Sequence, residues 1–430
     1  MCLNDIKIVK VKNPSVAYWR DVIFQASGNS TAQLIGILGL PILTRLYTPE
    51  DFADQAIFIQ ITALLVAFIT FRYEYFVPLL KSKEESFALS RWVIKTGMLM
   101  CFLTTLMMFF LDLTGCLSSI GITVRYYYYM APITAYLISL SLLYQHEAQR
   151  MSDYKLSGLA EVISKSAYVI SGVLGSFFSG GLALILTSAF GAVGKIAALR
   201  KYLFSPSGGV KRQVSFELIR LYRGRAVGMI LANTMLTFSS VIPLYLIASM
   251  YGAVTLGQFS LVMATIFLPS GLIGSAVGNV FYQRAGLLWN EQEFEGLNKL
   301  WFETISRLTV YALPVYVIAY YFAPWVYPFI FGNAWVEAGK YAQIMSVAAF
   351  FSFIAGPVDR LILVLGVAYY LPLIHALRLI LITAFSYIAM RGEYTTVDFI
   401  AGYSAVMAFV YIFDISCGRY FLYIKRSCDE

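Results

Sequence analysis

The chain has 430 residues, 59% of them hydrophobic and only 13% charged, with a formal net charge of +8. Soluble domains are nearer a quarter charged, so the composition excludes a soluble protein and places the chain in a membrane. The positive balance follows basic loops and does not imply nucleic acid, and the five cysteines (Cys2, Cys101, Cys116, Cys417, Cys428) lack any CxxC or Cys/His spacing that would mark a disulfide framework or a metal site.

Residues 1–20 are mixed polar and basic (Lys7, Lys10, Lys12, Arg20), without a cleavable signal peptide, and Tyr18 and Trp19 stand at the expected interface. A bilayer core of about 30 Å takes roughly 20 apolar residues per crossing, and such runs recur along the chain. The first spans Val22 to Leu46, with Asn29, Gln33 and Gly36 on one face and Pro41 near its end. The turn Tyr47-Thr48-Pro49-Glu50-Asp51 breaks the helix. A second helix, from about Gln55 to Leu80, holds Arg72-Tyr73-Glu74 inside an apolar segment. A third follows over about Trp92–Leu111. A fourth starts at Arg125 and the Tyr126–Tyr129 run, read as a headgroup anchor, and ends near Tyr144. The fifth (about Leu156–Phe178) and sixth (about Leu182–Ala198) meet at Gly180-Gly181. Arg200–Arg225, the most basic stretch, reads as a linker between halves. Helices seven to twelve fall near 226–250, 256–281, 305–326, 341–365, 370–390 and 399–421.

Basic residues gather in the loops on the side of the N-terminus, which by the positive-inside bias places both termini in the cytosol. No loop on the other side is long enough for a catalytic domain. The second half echoes the first: Ile242-Pro243-Leu244 answers Leu40-Pro41-Ile42, Asn233 answers Asn29, and Trp301 answers Trp92. With six helices per half, such a repeat is parallel, its axis along the membrane normal. The expected fold is all-α and integral to the membrane, with about twelve transmembrane helices. It divides into a cytosolic segment 1–21, a six-helix lobe 22–199, a basic linker 200–225, a second six-helix lobe 226–421 and a tail 422–430.

Leu40-Pro41-Ile42-Leu43-Thr44-Arg45-Leu46-Tyr47-Thr48-Pro49-Glu50-Asp51-Phe52, with Phe71-Arg72-Tyr73-Glu74-Tyr75 leading to Pro78, resembles the O-antigen flippases. These form the polysaccharide-transporter branch of the multidrug/oligosaccharidyl-lipid/polysaccharide exporter superfamily. The likeness is close over the first hairpin and rests elsewhere on helix count and repeat; Ala53 stands where members commonly carry glycine. It implies two lobes around a central cavity that opens alternately to either side. The implied cargo is an undecaprenyl-pyrophosphate-linked oligosaccharide, moved between leaflets of a bacterial inner membrane. The partners expected are that lipid-linked oligosaccharide, membrane lipids and other polysaccharide assembly proteins, with the chain itself a monomer. No cofactor is expected; coupling to an H+ or Na+ gradient or to the membrane potential stays open.

Such a cargo needs cations for its pyrophosphate, and arginine suits phosphate because its planar fork donates paired hydrogen bonds. Arg72, Arg378 with His375 one turn before it, Lys165 and Lys195 are the basic candidates in the cytosolic half of the membrane. Each has a plainer role: Lys165 pairing with Glu161 one turn earlier, Lys195 snorkelling to the interface, Arg72 pairing with an acid such as Asp414. Asn29, Gln33 and Asn233 suit sugar hydroxyls or bonds between helices. Glu74, Asp359, Arg360 and Asp414 are candidates for gating ion pairs or helix-end caps. Gly271, Gly274 and Gly278 with Pro269 suit close packing and a kink. No metal site is expected, because His375 has no second ligand near it. An enzyme finds no Ser/His/Asp set, Gly-rich phosphate loop or paired loop carboxylates, and a polysaccharide polymerase or ligase would need a large outer loop. The nearest rival is a drug exporter of the same superfamily, which should place carboxylates in its cavity.

Overall fold

The computed structural model describes residues 14–80, 82–114, 126–178, 180–202, 212–367 and 370–429, and over these the chain is helical with no strand. Lys7, Lys10, Lys12, Arg125 and the 205–209 part of the expected linker lie outside the described residues.

Among the described residues twelve long helices form two lobes. The first holds α1 (Pro14–Leu46), α2 (Pro49–Ile69), α3 (Lys83–Leu113), α4 (Ala131–Arg150), α5 (Tyr154–Gly175) and α6 (Gly181–Ala198). The second holds α7 (212–251), α8 (253–290, interrupted at Phe267), α9 (Phe294–Phe331), α10 (Val336–Val358), α11 (Tyr370–Arg391) and α12 (Thr396–Asp429). Eight helical stretches of the described residues are long and apolar enough to cross a membrane, one of them running through both α7 and α8.

Local chemistry sets the boundaries. Thr48 caps α2 through a reciprocal box with Asp51, behind Pro49 at the first helical position, and Ser82 caps α3 in the same way with Glu85. The reversals at the far end of the second lobe fall on Gly252 (φ +86) and Gly332 (φ +105), left-handed positions that a side chain would strain. An even number of helices brings the start of α1 and the end of α12 to one face of the bundle, here the terminal end; the α1–α2, α7–α8 and α9–α10 turns lie at the other, the loop end.

Several helices differ from expectation. α2 completes 21 residues at Ile69, about 31 Å at 1.5 Å per residue. Phe71 (φ 52) and Arg72 (φ 61) then turn left-handed and 73–79 is a 3-10 segment, so Arg72 and Glu74 lie beyond the helix expected to contain them. Tyr127 and Tyr128 are buried in the first lobe's core, so these two are internal packing rather than a headgroup belt, while Tyr126 stays exposed. Residues 212–225, expected as linker, are the first turns of α7. The Gly–Pro stretch of helix eight does interrupt it: the break falls at Phe267, and Gly278 packs closely on Pro357 and Arg360.

Within the first lobe α1 lies along α5 and α5 along α6; within the second α9 lies along α10, and α10 along α12. Between the lobes α2 packs on the α7–α8 hairpin. The largest hydrophobic core runs through both lobes at the loop end, from Leu43, Tyr47 and Phe52 to Leu244, Phe259 and Trp335.

Candidate functional site

The loop end is sealed. Trp335, fully buried, donates from its indole nitrogen to the Thr44 carbonyl of the opposite lobe at 3.0 Å. Its ring meets Phe52 edge-on with centroids 5.0 Å apart. Gly257 has no room for a side chain against the Pro49 carbonyl, so the two helix hairpins touch backbone to backbone.

Beneath this seal lies a cavity of about 290 Å³ lined by both lobes: α2, α5, α7, α8 and α12 all contribute. Its polar groups are Gln55, Gln60, Tyr168, Ser240, Ser260 and Tyr403, and no charged residue lines it; Leu40, Phe52, Pro243, Leu244 and Met263 supply apolar wall. Gln55 is fixed in place by Tyr168 (2.9 Å), the Leu184 carbonyl (2.8 Å) and Thr187 (3.2 Å). These neutral amides and hydroxyls were passed over in the sequence. Amides at 55 and 60 in an otherwise apolar helix were the available signal.

Toward the terminal end the lobes meet again. Arg72 donates from Nη2 to the Asn233 side chain of α7 at 2.6 Å, and its guanidinium sits 5.4 Å from the Tyr75 ring centre. Tyr73 bonds the Ile219 carbonyl and Phe76 stacks on Tyr222, so the first turns of α7 clasp the 3-10 segment of the first lobe. Arg72 therefore does not pair with Asp414, which instead accepts from Tyr370 at 2.9 Å within the second lobe. Glu74, beside Arg72, is fully buried and neither carboxylate oxygen has a hydrogen-bond partner. Burial pushes its pKa above the ordinary carboxylate value, against the weaker pull of the Arg72 charge.

The other candidates separate. Glu161 pairs with Lys195 at 2.7 Å and accepts from Gln145 at 2.7 Å, so Lys195 is a buried ion-pair partner and does not snorkel. That leaves Lys165 without the expected pairing to Glu161; its ammonium lies 4.4 Å from the Tyr168 ring centre, against Gly36 of α1. Tyr168 thus joins Lys165 to the cavity wall. Asn29 is exposed and accepts from Gln25 of its own helix, so it does not mirror Asn233; Gln33 is half-buried on the same helix. Arg378 is half-buried, with an unpartnered Nε, between His375 and Tyr403 of the cavity wall. Arg360 bonds Asn279 of α8, and Asp359 neighbours Asp414. No cluster of potential metal ligands occurs among the described residues.

Comparison with known proteins places this architecture. A family model described as polysaccharide biosynthesis protein matches residues 18–282. A search of curated protein sequences finds no match. Among solved structures, an inward-facing multidrug resistance MATE family transporter of the MOP superfamily superimposes with a TM-score of 0.73 at 13% identity, covering 96% of this chain and 99% of that one. A MOP superfamily transporter from Pyrococcus furiosus, described by a reversed polarity of its binding pocket, superimposes with a TM-score of 0.62 at 14% identity, covering 96% of each chain. An outward-facing MATE transporter gives 0.59 at 13% identity, over 95% of this chain and 96% of that one. The fold is that of MOP transporters, and neither the family nor these neighbours are enzymes.

Proposed function

Because the chain belongs to the polysaccharide biosynthesis protein family, we propose that it is a flippase. It moves an undecaprenyl-pyrophosphate-linked oligosaccharide from the cytosolic to the periplasmic leaflet of a bacterial inner membrane by alternating access. The observation that carries this reading is the interlobe cavity: amides and hydroxyls with no carboxylate among its lining residues. Neutral donors and acceptors match sugar hydroxyls, whereas a cation exporter needs negative charge where its substrate sits. At about 290 Å³ the cavity is at the small end for a ligand site, so a whole oligosaccharide enters only as the lobes part toward the terminal end. The better superposition on an inward-facing than on an outward-facing relative supports a state closed at the loop end. In this topology both termini are cytosolic, and the basic groups on the terminal side of the cavity, Arg72, Lys165 and Arg378, meet the pyrophosphate as it arrives.

Arg72 is the group best placed for that anion, since its present partners, Asn233 and the Tyr75 hydroxyl, are neutral. A pyrophosphate oxygen in exchange for that amide sets the cation against an anion instead of a neutral acceptor, a bond stronger by roughly 1 kcal/mol or more. Complementation of a strain lacking its own flippase, scored by surface polysaccharide, tests the whole reading. The intact chain should restore polysaccharide; Arg72→Ala or Arg378→Ala, present at normal levels, should cut it roughly tenfold or more, and lysine should restore it partly. Asn233→Ala separates the roles: it removes the interlobe bond but keeps the cation, so export should survive. Normal export by both arginine variants would assign them to packing and sink the pyrophosphate role.

A further inference from the structure

We propose that a groove between α3 and α4 at the terminal end, outside the central cavity, binds the headgroup of an anionic phospholipid. One acyl chain then lies along the outer face of α3. The groove holds about 460 Å³ and is lined by Lys83, Arg91 and Lys95 of α3, Arg150 of α4 and Lys201 beyond α6, with Tyr144 and Tyr202 among its walls. Its one carboxylate, Glu147, is already engaged by Ser90 at 2.9 Å, by Ser86 and by Arg150 at 3.0 Å. Lys201 is paired with Asp153. Lys83, Arg91 and Lys95 have no acidic partner among the described residues, and Arg91 and Lys95 are exposed. A groove of the second lobe is self-neutralised by contrast: Arg284 and Lys299 share it with Glu291 and Glu303. Positive-inside loops alone would produce scattered cations, not an aromatic-walled groove with one engaged acid.

Register on α3 supplies the second argument. Arg91 and Lys95 are four residues apart, and Met98, Phe102 and Leu106 continue the same helical stripe. Those three are exposed, as are Leu99 and Leu103 beside them. From Lys95 to Asp112 the helix rises about 26 Å, close to the thickness of a hydrocarbon core. The two cations therefore stand at headgroup level with an open apolar lane directly beneath, the layout of a phospholipid. The aliphatic stems of such cations also pack on the tail as it leaves the head.

The test uses the full-length protein in neutral detergent, with binding read by native mass spectrometry. The probes are phosphatidylglycerol, phosphatidylcholine with the same chains, and inorganic phosphate. Phosphatidylglycerol should bind roughly tenfold or more tighter than phosphatidylcholine, and inorganic phosphate should not compete. The double variant Arg91→Gln/Lys95→Gln should lose that preference, while Arg284→Gln/Lys299→Gln in the second lobe should keep it. Both pairs include surface positions, and the single variant Lys95→Gln should show a partial loss should the double variant fail to express. Equal binding of the two lipids, competition by phosphate, or an unchanged preference in the Arg91/Lys95 variants would each overturn the site.

Discussion

Glu74 shows what a single residue can cost. A carboxylate buried without a donor is destabilised as the anion, and this one is held in a segment whose entry, Phe71-Arg72, is left-handed at two consecutive side-chain-bearing residues. Such strain persists only where the surroundings enforce it, here through the clasp of Tyr73 and Phe76 on α7. The sign of the pH effect follows. With its pKa raised above 4.5 on folding, Glu74 binds more protons in the folded state, so its contribution to stability falls as pH rises past that value. Glu74→Gln, which cannot ionise, should unfold at a higher temperature than the parent at neutral pH, with the gap closing toward pH 4.5. A gap that is absent, or that widens in acid, would mean the carboxyl is solvated or paired in the folded protein. Arg72 and Glu74 were singled out in the sequence as charges in an apolar run. What the sequence could not convey was that two left-handed residues end α2 before them, because neither phenylalanine nor arginine signals such a conformation.

At the scale of helices, α1 joins the first lobe by lying along α5, and close approach of their backbones decides that contact. A Cβ on Gly158 would lie 2.7 Å from the Phe24 carbonyl oxygen and 3.3 Å from Gly28 Cα. Small residues at such crossings let helices meet where lipid offers no hydrophobic drive. Gly158→Val should therefore cost roughly 1–3 kcal/mol through overpacking, read as a lower melting temperature in detergent. Gly286→Val, where nothing stands within 4 Å, is the control and should not lower it. Equal melting temperatures for the two variants would contradict this helix contact. The helices themselves were legible from apolar length, and the α1–α2 turn from Thr48-Pro49-Glu50-Asp51, which caps α2 as its composition suggests. The ion pairing was not. Lys165 and Glu161 satisfy a one-turn spacing, yet Glu161 turns to Lys195 on α6, since a partner from a packed neighbour outcompetes one on the same helix surface. Spacing within one helix carries no information about which neighbour arrives.

For the whole molecule, function reduces to which end is closed, and the loop-end seal combines the Gly257–Pro49 backbone contact with one large side chain. Trp335 joins the lobes through its indole N–H to Thr44 and its edge against Phe52. The repeat of Pro41 and Pro243 foretold two comparable halves, and both lobes do line one cavity. But nothing near Trp335 distinguished it from an ordinary interfacial tryptophan, because its partners lie in the other lobe, nearly three hundred residues away in sequence. Truncating a buried tryptophan costs roughly 3–5 kcal/mol. The share of that loss that comes from the contacts with Thr44 and Phe52 falls on the closed state, and each 1.4 kcal/mol or so is a tenfold change in population. Cysteines at Ser240 and Ser260, cavity positions on α7 and α8, report the outcome when placed in a cysteine-free chain. A membrane-impermeant thiol reagent should reach them in inside-out vesicles, through the terminal end, and not in right-side-out vesicles. Adding Trp335→Ala should open the second route and label both preparations, while Trp335→Phe, which keeps a ring but not the N–H, should fall between. Labelling from both sides before the tryptophan is touched, or only from the loop end, would reverse either the seal or the orientation of the chain, and reporter fusions at the C-terminus would tell which.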